Sequence, residues 1–104
     1  NKFMKKIFLL ALFAIEFAHA SPVAGIVVVG ERGCQRRDYI VIDTAMGYVY
    51  AQQYAGNFDK GDKVVGELNT YGFKDVRVNS STGRLWIDDF AMSKTRVSEK
   101  CFGT

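Results

Sequence analysis

Histidine is almost absent from this sequence: the single copy, His19, lies in an N-terminal segment that we expect to be removed. A mature chain without histidine has no imidazole base, which excludes Ser-His and Cys-His nucleophiles and histidine-containing metal sites. Proline occurs once, cysteine occurs twice, and no Pro/Ser/Gly-rich linker interrupts the chain. We therefore expect one small domain and no catalytic centre of a common type, so the prediction is that the protein is not an enzyme.

The first twenty residues contain the three parts of a secretory signal in their usual order. Two lysines follow Met4, residues 7–15 form an apolar run of nine, and Ala18-His19-Ala20 has the small-x-small pattern of a cleavage site. A transmembrane helix needs about 20 apolar residues, so this run is too short to be an anchor. The pattern predicts a cleaved signal at 1–20, a single domain at 21–104, and a periplasmic or secreted protein.

The mature chain is nearly neutral. The full sequence has 14 basic and 11 acidic residues, and the first twenty residues contain three lysines and one glutamate, which leaves 14 − 3 = 11 basic and 11 − 1 = 10 acidic side chains. Because affinity for nucleic acid depends mainly on clustered positive charge, we expect no nucleic-acid partner.

Cys34 and Cys101 are the only cysteines, and export would deliver them to an oxidising compartment. Their pairing would close a loop of 101 − 34 + 1 = 68 residues, which is worth about 4 kcal/mol of stability. The alternative is a redox-active pair, but such thiols are usually close in sequence, as in C-x-x-C. The sequence therefore predicts a structural disulfide.

Short runs of β-branched and aromatic residues, separated by glycine- and Asn/Asp-containing turns, predict a β-rich domain. Ser93 is predicted to be the N-cap of a short C-terminal helix, in which Val97 and Cys101 share one face. The pattern favours a mainly β fold, namely a small antiparallel barrel, SH3-like or OB-like, of about six strands with a short C-terminal helix. The expected strands are 24–29, 38–44, 48–54, 63–69, 75–79 and 84–90, with a four-residue hairpin loop at 80–83.

Strand alternation predicts which side chains face outward. If the aliphatic side chains point into the barrel, an outer face remains that is rich in tyrosine, tryptophan and arginine, the residue types that dominate binding hot spots. The alternatives are that these aromatic residues are ordinary cross-strand partners, or that inside and outside are reversed. The predicted binding residues are Tyr48, Tyr50, Tyr54, Arg77, Arg84 and Trp86.

Two groups of carboxylates are candidates for catalysis or metal binding. Asp88 and Asp89 are adjacent, and neighbours in a strand point to opposite faces, so they cannot flank one bond. Asp59 and Asp62 share a loop with Asn57, but their spacing does not fit a calcium loop, and turn chemistry explains them. We therefore expect no bound metal and no cofactor.

These observations favour an exported, disulfide-pinned binding module that recognises an unidentified protein or glycan outside the cytoplasm. In one version, the module inhibits a secreted hydrolase by inserting the loop 57–62 or 80–83 into its cleft. Two alternatives remain open: a structural component that pairs through an exposed strand edge, and a small hydrolase that uses only carboxylates. The sequence does not specify the oligomeric state.

Overall fold

The computed structural model describes residues 21–103, so the predicted signal at 1–20 lies outside the described residues. Six strands are followed by one helix. The elements are β1 (Val23–Val29), β2 (Tyr39–Thr44), β3 (Gly47–Ala55), β4 (Lys63–Gly66), β5 (Gly72–Val78), β6 (Ser81–Met92) and α1 (Lys94–Phe102).

The six strands form a closed barrel in the order β1-β2-β3-β6-β5-β4, and β1 pairs with β4 to complete the ring. All pairings are antiparallel, so the ring consists of two three-stranded meanders, β1–β3 and β4–β6. The predicted mainly β fold, with a small antiparallel barrel and a short C-terminal helix, is confirmed. In a closed barrel every strand has a hydrogen-bonded neighbour on both sides, whereas an open sheet leaves the backbone groups of its two edge strands unpaired.

The barrel is filled by the inward-facing aliphatic side chains of its strands and by residues from two connections. Phe58 enters from the connection between β3 and β4 and is fully buried. The ring of Phe58 needs a glycine beside it, because a Cβ atom at Gly83 would lie 2.7 Å from its Cζ atom. The interior consists of Val27, Ile40, Ile42, Val49, Ala51, Phe58, Val64, Leu68, Val76, Val78, Leu85 and Ile87.

The structure corrects the predicted four-residue loop at 80–83. Val78 pairs directly with Ser81, so only Asn79 and Ser80 connect β5 to β6. Asn79 adopts φ 54°, a left-handed conformation that asparagine tolerates better than most residues and that suits tight hairpins. Thr82 and Gly83 therefore belong to β6, and the connection between β5 and β6 is a turn of two residues.

The strand predicted at 63–69 is also shorter than expected, because β4 ends at Gly66. The backbone of Gly66 packs closely on β5, where an added Cβ atom would lie 2.7 Å from the Cγ1 atom of Val76. Leu68 then donates its amide to the Gly66 carbonyl at 2.9 Å and its side chain is fully buried. The chain thus turns inward at 66–68 and closes one end of the barrel.

Helix α1 packs on the outer surface of β2 and β3. Ser93 accepts a hydrogen bond from the Arg96 amide at 3.2 Å, which confirms the predicted N-cap, and Gly103 ends the helix in a left-handed conformation. Val97 and Cys101 are its two buried residues, as the i, i+4 spacing predicts. The disulfide between Cys101 and Cys34 is present and joins the helix to the connection after β1.

Candidate functional site

Three aromatic rings meet on the outer surface of β3, β6 and β5. Phe73 lies in the middle, with its ring centroid 4.7 Å from that of Tyr54 and 4.8 Å from that of Trp86, both in edge-to-face arrangements. The exposed fractions are 53% for Tyr54, 45% for Phe73 and 37% for Trp86. Three large rings, with Phe73 in contact with both of the others, therefore remain partly exposed to solvent.

Strand register brings these rings together. Leu85 and Ile87 point into the barrel and are fully buried, so the alternating Trp86 points outward. On β5, Phe73 pairs directly with Trp86. Tyr54 reaches the same place from the far end of β3, where it completes the cluster by contacting Phe73.

One arginine borders the rings, and a second lies further along the same surface. The Cζ atom of Arg84 lies 4.7 Å from the centroid of Phe73, a cation–π contact. Its Nε atom is 3.9 Å from a carboxylate oxygen of Asp75, and both side chains are exposed. Arg77 lies two positions beyond Asp75 on β5, so it is on the same outer surface, and it is also exposed. We call Tyr54, Phe73, Trp86, Arg77 and Arg84 the aromatic–arginine face.

An open groove of about 560 Å³ lies on this face and is lined in part by Arg84. Its lining includes the small residues Ala55 and Gly83 and the charged residues Asp75, Arg77 and Arg84. Arg84 lines the groove and also contacts the ring of Phe73, so the apolar rings and the charged groove form one continuous surface. Such a surface can stack on a flat apolar group while it forms hydrogen bonds and ion pairs with polar groups beside it.

Four of the six predicted binding residues lie on this face: Tyr54, Trp86, Arg77 and Arg84. Sequence reasoning missed Phe73, because it left 70–73 unassigned and started the strand at residue 75, whereas β5 starts at Gly72. The signal was nevertheless present, since Phe73 is in phase with Arg77 and out of phase with the buried Val76.

The structure corrects the predicted exposure of Tyr50 and Tyr48. Tyr50 is only 2% exposed, and Tyr48 is partly buried. Both point to the outer surface of β3, as alternation predicts, but α1 covers that part of the surface and leaves only Tyr54 beyond its reach. The two residues therefore belong to a second core between sheet and helix. This core contains Cys34, Tyr39, Val41, Tyr50, Met92, Val97 and Cys101, with Val28, Val29 and Tyr48 packed against it.

Within this second core, Tyr39 and Tyr50 are stacked, with ring centroids 4.5 Å apart and planes at 18°. A cation approaches each ring: Arg36 lies 4.6 Å from the Tyr39 centroid, and Lys100 lies 5.8 Å from the Tyr50 centroid. Burial raises the pKa of Tyr39, and the nearby Asp88 carboxylate raises it further. Burial also raises the pKa of Tyr50, with a further contribution from Tyr39.

The raised pKa values predict a loss of stability in alkaline solution. A tyrosine whose pKa is higher in the folded than in the unfolded chain stabilises the fold below the unfolded value, which is about 10, and this contribution is lost as the pH rises above it. Urea unfolding between about pH 8 and pH 11 should therefore show a steeper decline for the wild type than for Tyr39→Phe combined with Tyr50→Phe. The exposed Tyr71 supplies the matched control, Tyr71→Phe, which should behave like the wild type. Equal slopes for the wild type and the double variant would contradict the prediction.

The carboxylates of Asp62, Asp88 and Asp89 are engaged in structural contacts. Asp88 pairs with Lys100 at 3.4 Å, and Asp89 pairs with Arg96 at 2.9 Å, so both tie β6 to α1. Asp62 accepts hydrogen bonds from the Asp59 amide and from the Asn79 side chain, at 2.9 and 3.0 Å. Among residues 21–103, His, Cys, Asp and Glu form no group of three or more that would hold a metal ion.

No known protein family, curated protein or solved structure matches this chain. In the part of the chain that the structure describes, no helix has the length and hydropathy required to cross a membrane.

Proposed function

We propose that the protein is an exported binding module that holds its ligand on the aromatic–arginine face. The observation that carries the proposal is the contact of Tyr54, Phe73 and Trp86 on a solvent-exposed sheet surface with Arg84 against the central ring. Clustered exposed aromatic groups are uncommon on protein surfaces that have no partner, and tyrosine, tryptophan and arginine are the types enriched at binding hot spots.

The scaffold is suited to binding because the face lies on paired strands. The central strand of the face, β6, is hydrogen-bonded to β3 on one side and to β5 on the other. The rings are thus held before a ligand arrives, which reduces the conformational entropy lost on association. A rigid surface of this kind favours recognition.

Two observations support a location outside the cytoplasm. The Cys34–Cys101 disulfide is of a type that persists mainly in oxidising compartments. The sequence of residues 1–20 has the charge, apolar run and cleavage pattern of a secretory signal. We therefore place the ligand in the periplasm or the extracellular medium.

The two alternative functions receive less support from the geometry. Pairing through a strand edge needs an unpaired strand, whereas each of the six strands described has a partner on both sides. Catalysis by carboxylates alone needs acidic groups directed at a substrate, whereas Asp88 and Asp89 are paired with cations of α1. Insertion of loop 57–62 into a hydrolase cleft is also disfavoured, since Phe58 anchors that loop in the barrel.

Substitution of Phe73 or Trp86 should weaken binding strongly. We expect Phe73→Ala and Trp86→Ala each to weaken binding by about 30-fold or more, because loss of a hot-spot side chain costs about 2 kcal/mol or more. The measurement is the dissociation constant for partners found among extracellular polysaccharides and a periplasmic protein fraction.

Phe102→Ala is the matched control, since Phe102 is an exposed phenylalanine on α1 with 44% exposure, close to the 45% of Phe73. It should bind as the wild type does, and thermal unfolding should show that all variants are folded. Unchanged binding by folded Phe73→Ala and Trp86→Ala would contradict the proposed face.

A further inference from the structure

We propose that the ligand is an acidic polysaccharide whose sugar rings lie against the aromatic cluster and whose carboxylates pair with Arg77 in the adjoining groove. This inference rests on the proposed function and assigns a ligand class to its site. It follows from the charges that border the rings, from the position of the face in the sheet, and from the shape of the groove.

Arg77 provides the charge argument. Its side chain is exposed at the groove, and within residues 21–103 it forms no ion pair. Arg84, the second arginine of the groove, has only a 3.9 Å contact with the exposed Asp75. Guanidinium groups present a planar fork of donors that matches a carboxylate in a bidentate pair. A ligand with regularly spaced carboxylates would complement this pair of arginines.

The aromatic cluster provides the argument for sugar rings. The faces of aromatic rings carry partial negative charge, so they attract the polarised C–H groups that a pyranose ring presents on its flatter side. Tyr54 and Trp86 flank Phe73 in edge-to-face contacts, which leaves rings in different orientations on one surface. A chain of linked sugar units can contact successive rings of such a cluster.

The position of the face argues against an acidic peptide as the ligand. Extended peptides commonly add to a free sheet edge and gain main-chain hydrogen bonds, but the central strand β6 is paired on both sides. A folded protein partner usually buries about 20–30 residues on each side. The aromatic–arginine face consists of five side chains, two of which are charged, so it is small for a protein interface.

The groove argues for a ligand of a few sugar units. Its volume of about 560 Å³ falls in the range of about 300–1,000 Å³ that small-molecule sites occupy. Its lining combines the small Ala55 and Gly83 with the charged Asp75, Arg77 and Arg84. A sugar ring bound in this groove would therefore lie beside both arginines.

Trp86 is the only tryptophan of the chain, so its fluorescence reports directly on this face. The probes are oligosaccharides of polygalacturonate, alginate and hyaluronate, each compared with its carboxyl-reduced, neutral form. We expect at least one acidic oligosaccharide to change the fluorescence of Trp86 and to bind at least 10-fold more tightly than its reduced form. The affinity should fall as salt concentration rises, because ion pairs contribute to it.

Arg77→Gln should weaken binding of the acidic form at least 10-fold and leave binding of the reduced form unchanged. The control is Lys60→Gln, which removes an exposed cation from the connection between β3 and β4 and should bind as the wild type does. Equal affinity for acidic and reduced forms, or full binding by Arg77→Gln, would overturn the acidic ligand. Absence of binding by all three acidic probes would overturn it as well. The Phe73→Ala and Trp86→Ala comparison decides the proposed function separately.

Discussion

Replacement of both Cys34 and Cys101 by alanine is expected to lower the free energy of unfolding by about 4 kcal/mol. The disulfide joins residues 67 positions apart, and a covalent link over such a distance greatly restricts the unfolded chain. A domain of this size has a net stability of about 5–15 kcal/mol, so the loss is a large part of the total. At about 4–8 °C per kcal/mol, the melting temperature should fall by roughly 15–30 °C.

Thermal and urea unfolding with and without a reductant measure this effect. The reductant should destabilise the wild type to about the level of the double alanine variant, and it should not affect the double variant, which is its own control. Ser98→Ala is a second control, since it changes α1 beside the disulfide without removing the link. A difference of less than about 1 kcal/mol between the wild type and the double variant would show that packing alone holds the helix.

The composition of α1 explains why this link is needed. The helix has nine residues, of which only Val97 and Cys101 are buried. Its first turn contains no acidic residue, so Lys94 and Arg96 oppose the helix dipole. Isolated helices shorter than about 12–15 residues are marginal in water. The disulfide and the ion pairs to Asp88 and Asp89 therefore fix a helix that is weak by itself.

The fold was largely predictable because local patterns determine it. Runs of β-branched residues located the strands, the Ser93 cap located the helix, and the spacing of Val97 and Cys101 indicated its inner face. The orientation of β6 was also correct, since Leu85 and Ile87 form an unambiguous inward row. In each case the signal lies within a few residues of the element that it specifies.

The errors occurred where a distant element decides the outcome. Tyr50 and Tyr54 share the outward phase of β3, so alternation cannot separate them, and only the path of α1 determines that one is covered. The predicted loop at 80–83 included Gly83, but Gly83 lies in β6 and makes room for Phe58, which comes from another connection. A sequence pattern with period two identifies a face, but it does not identify what packs on that face.

The two outward tyrosines of β3 are expected to differ strongly in their contribution to stability. Tyr50→Ala should lower the free energy of unfolding by about 3–5 kcal/mol, because it removes a buried ring from the second core and leaves a cavity. Tyr54→Ala should lower it by less than about 1 kcal/mol, since Tyr54 is 53% exposed and contacts mainly Phe73. Urea unfolding of both variants measures the difference.

Binding should show the reverse order, which separates a structural tyrosine from a recognition tyrosine. Tyr54→Ala should weaken any ligand of the aromatic–arginine face, while Tyr50→Phe, which keeps the buried ring and its stacking on Tyr39, should bind as the wild type does. Tyr50→Phe also serves if Tyr50→Ala does not fold, because it should stay close to wild-type stability. Two outcomes would contradict this division of β3. One is a folded Tyr50→Phe variant that no longer binds, and the other is a Tyr54→Ala variant that unfolds as readily as Tyr50→Ala.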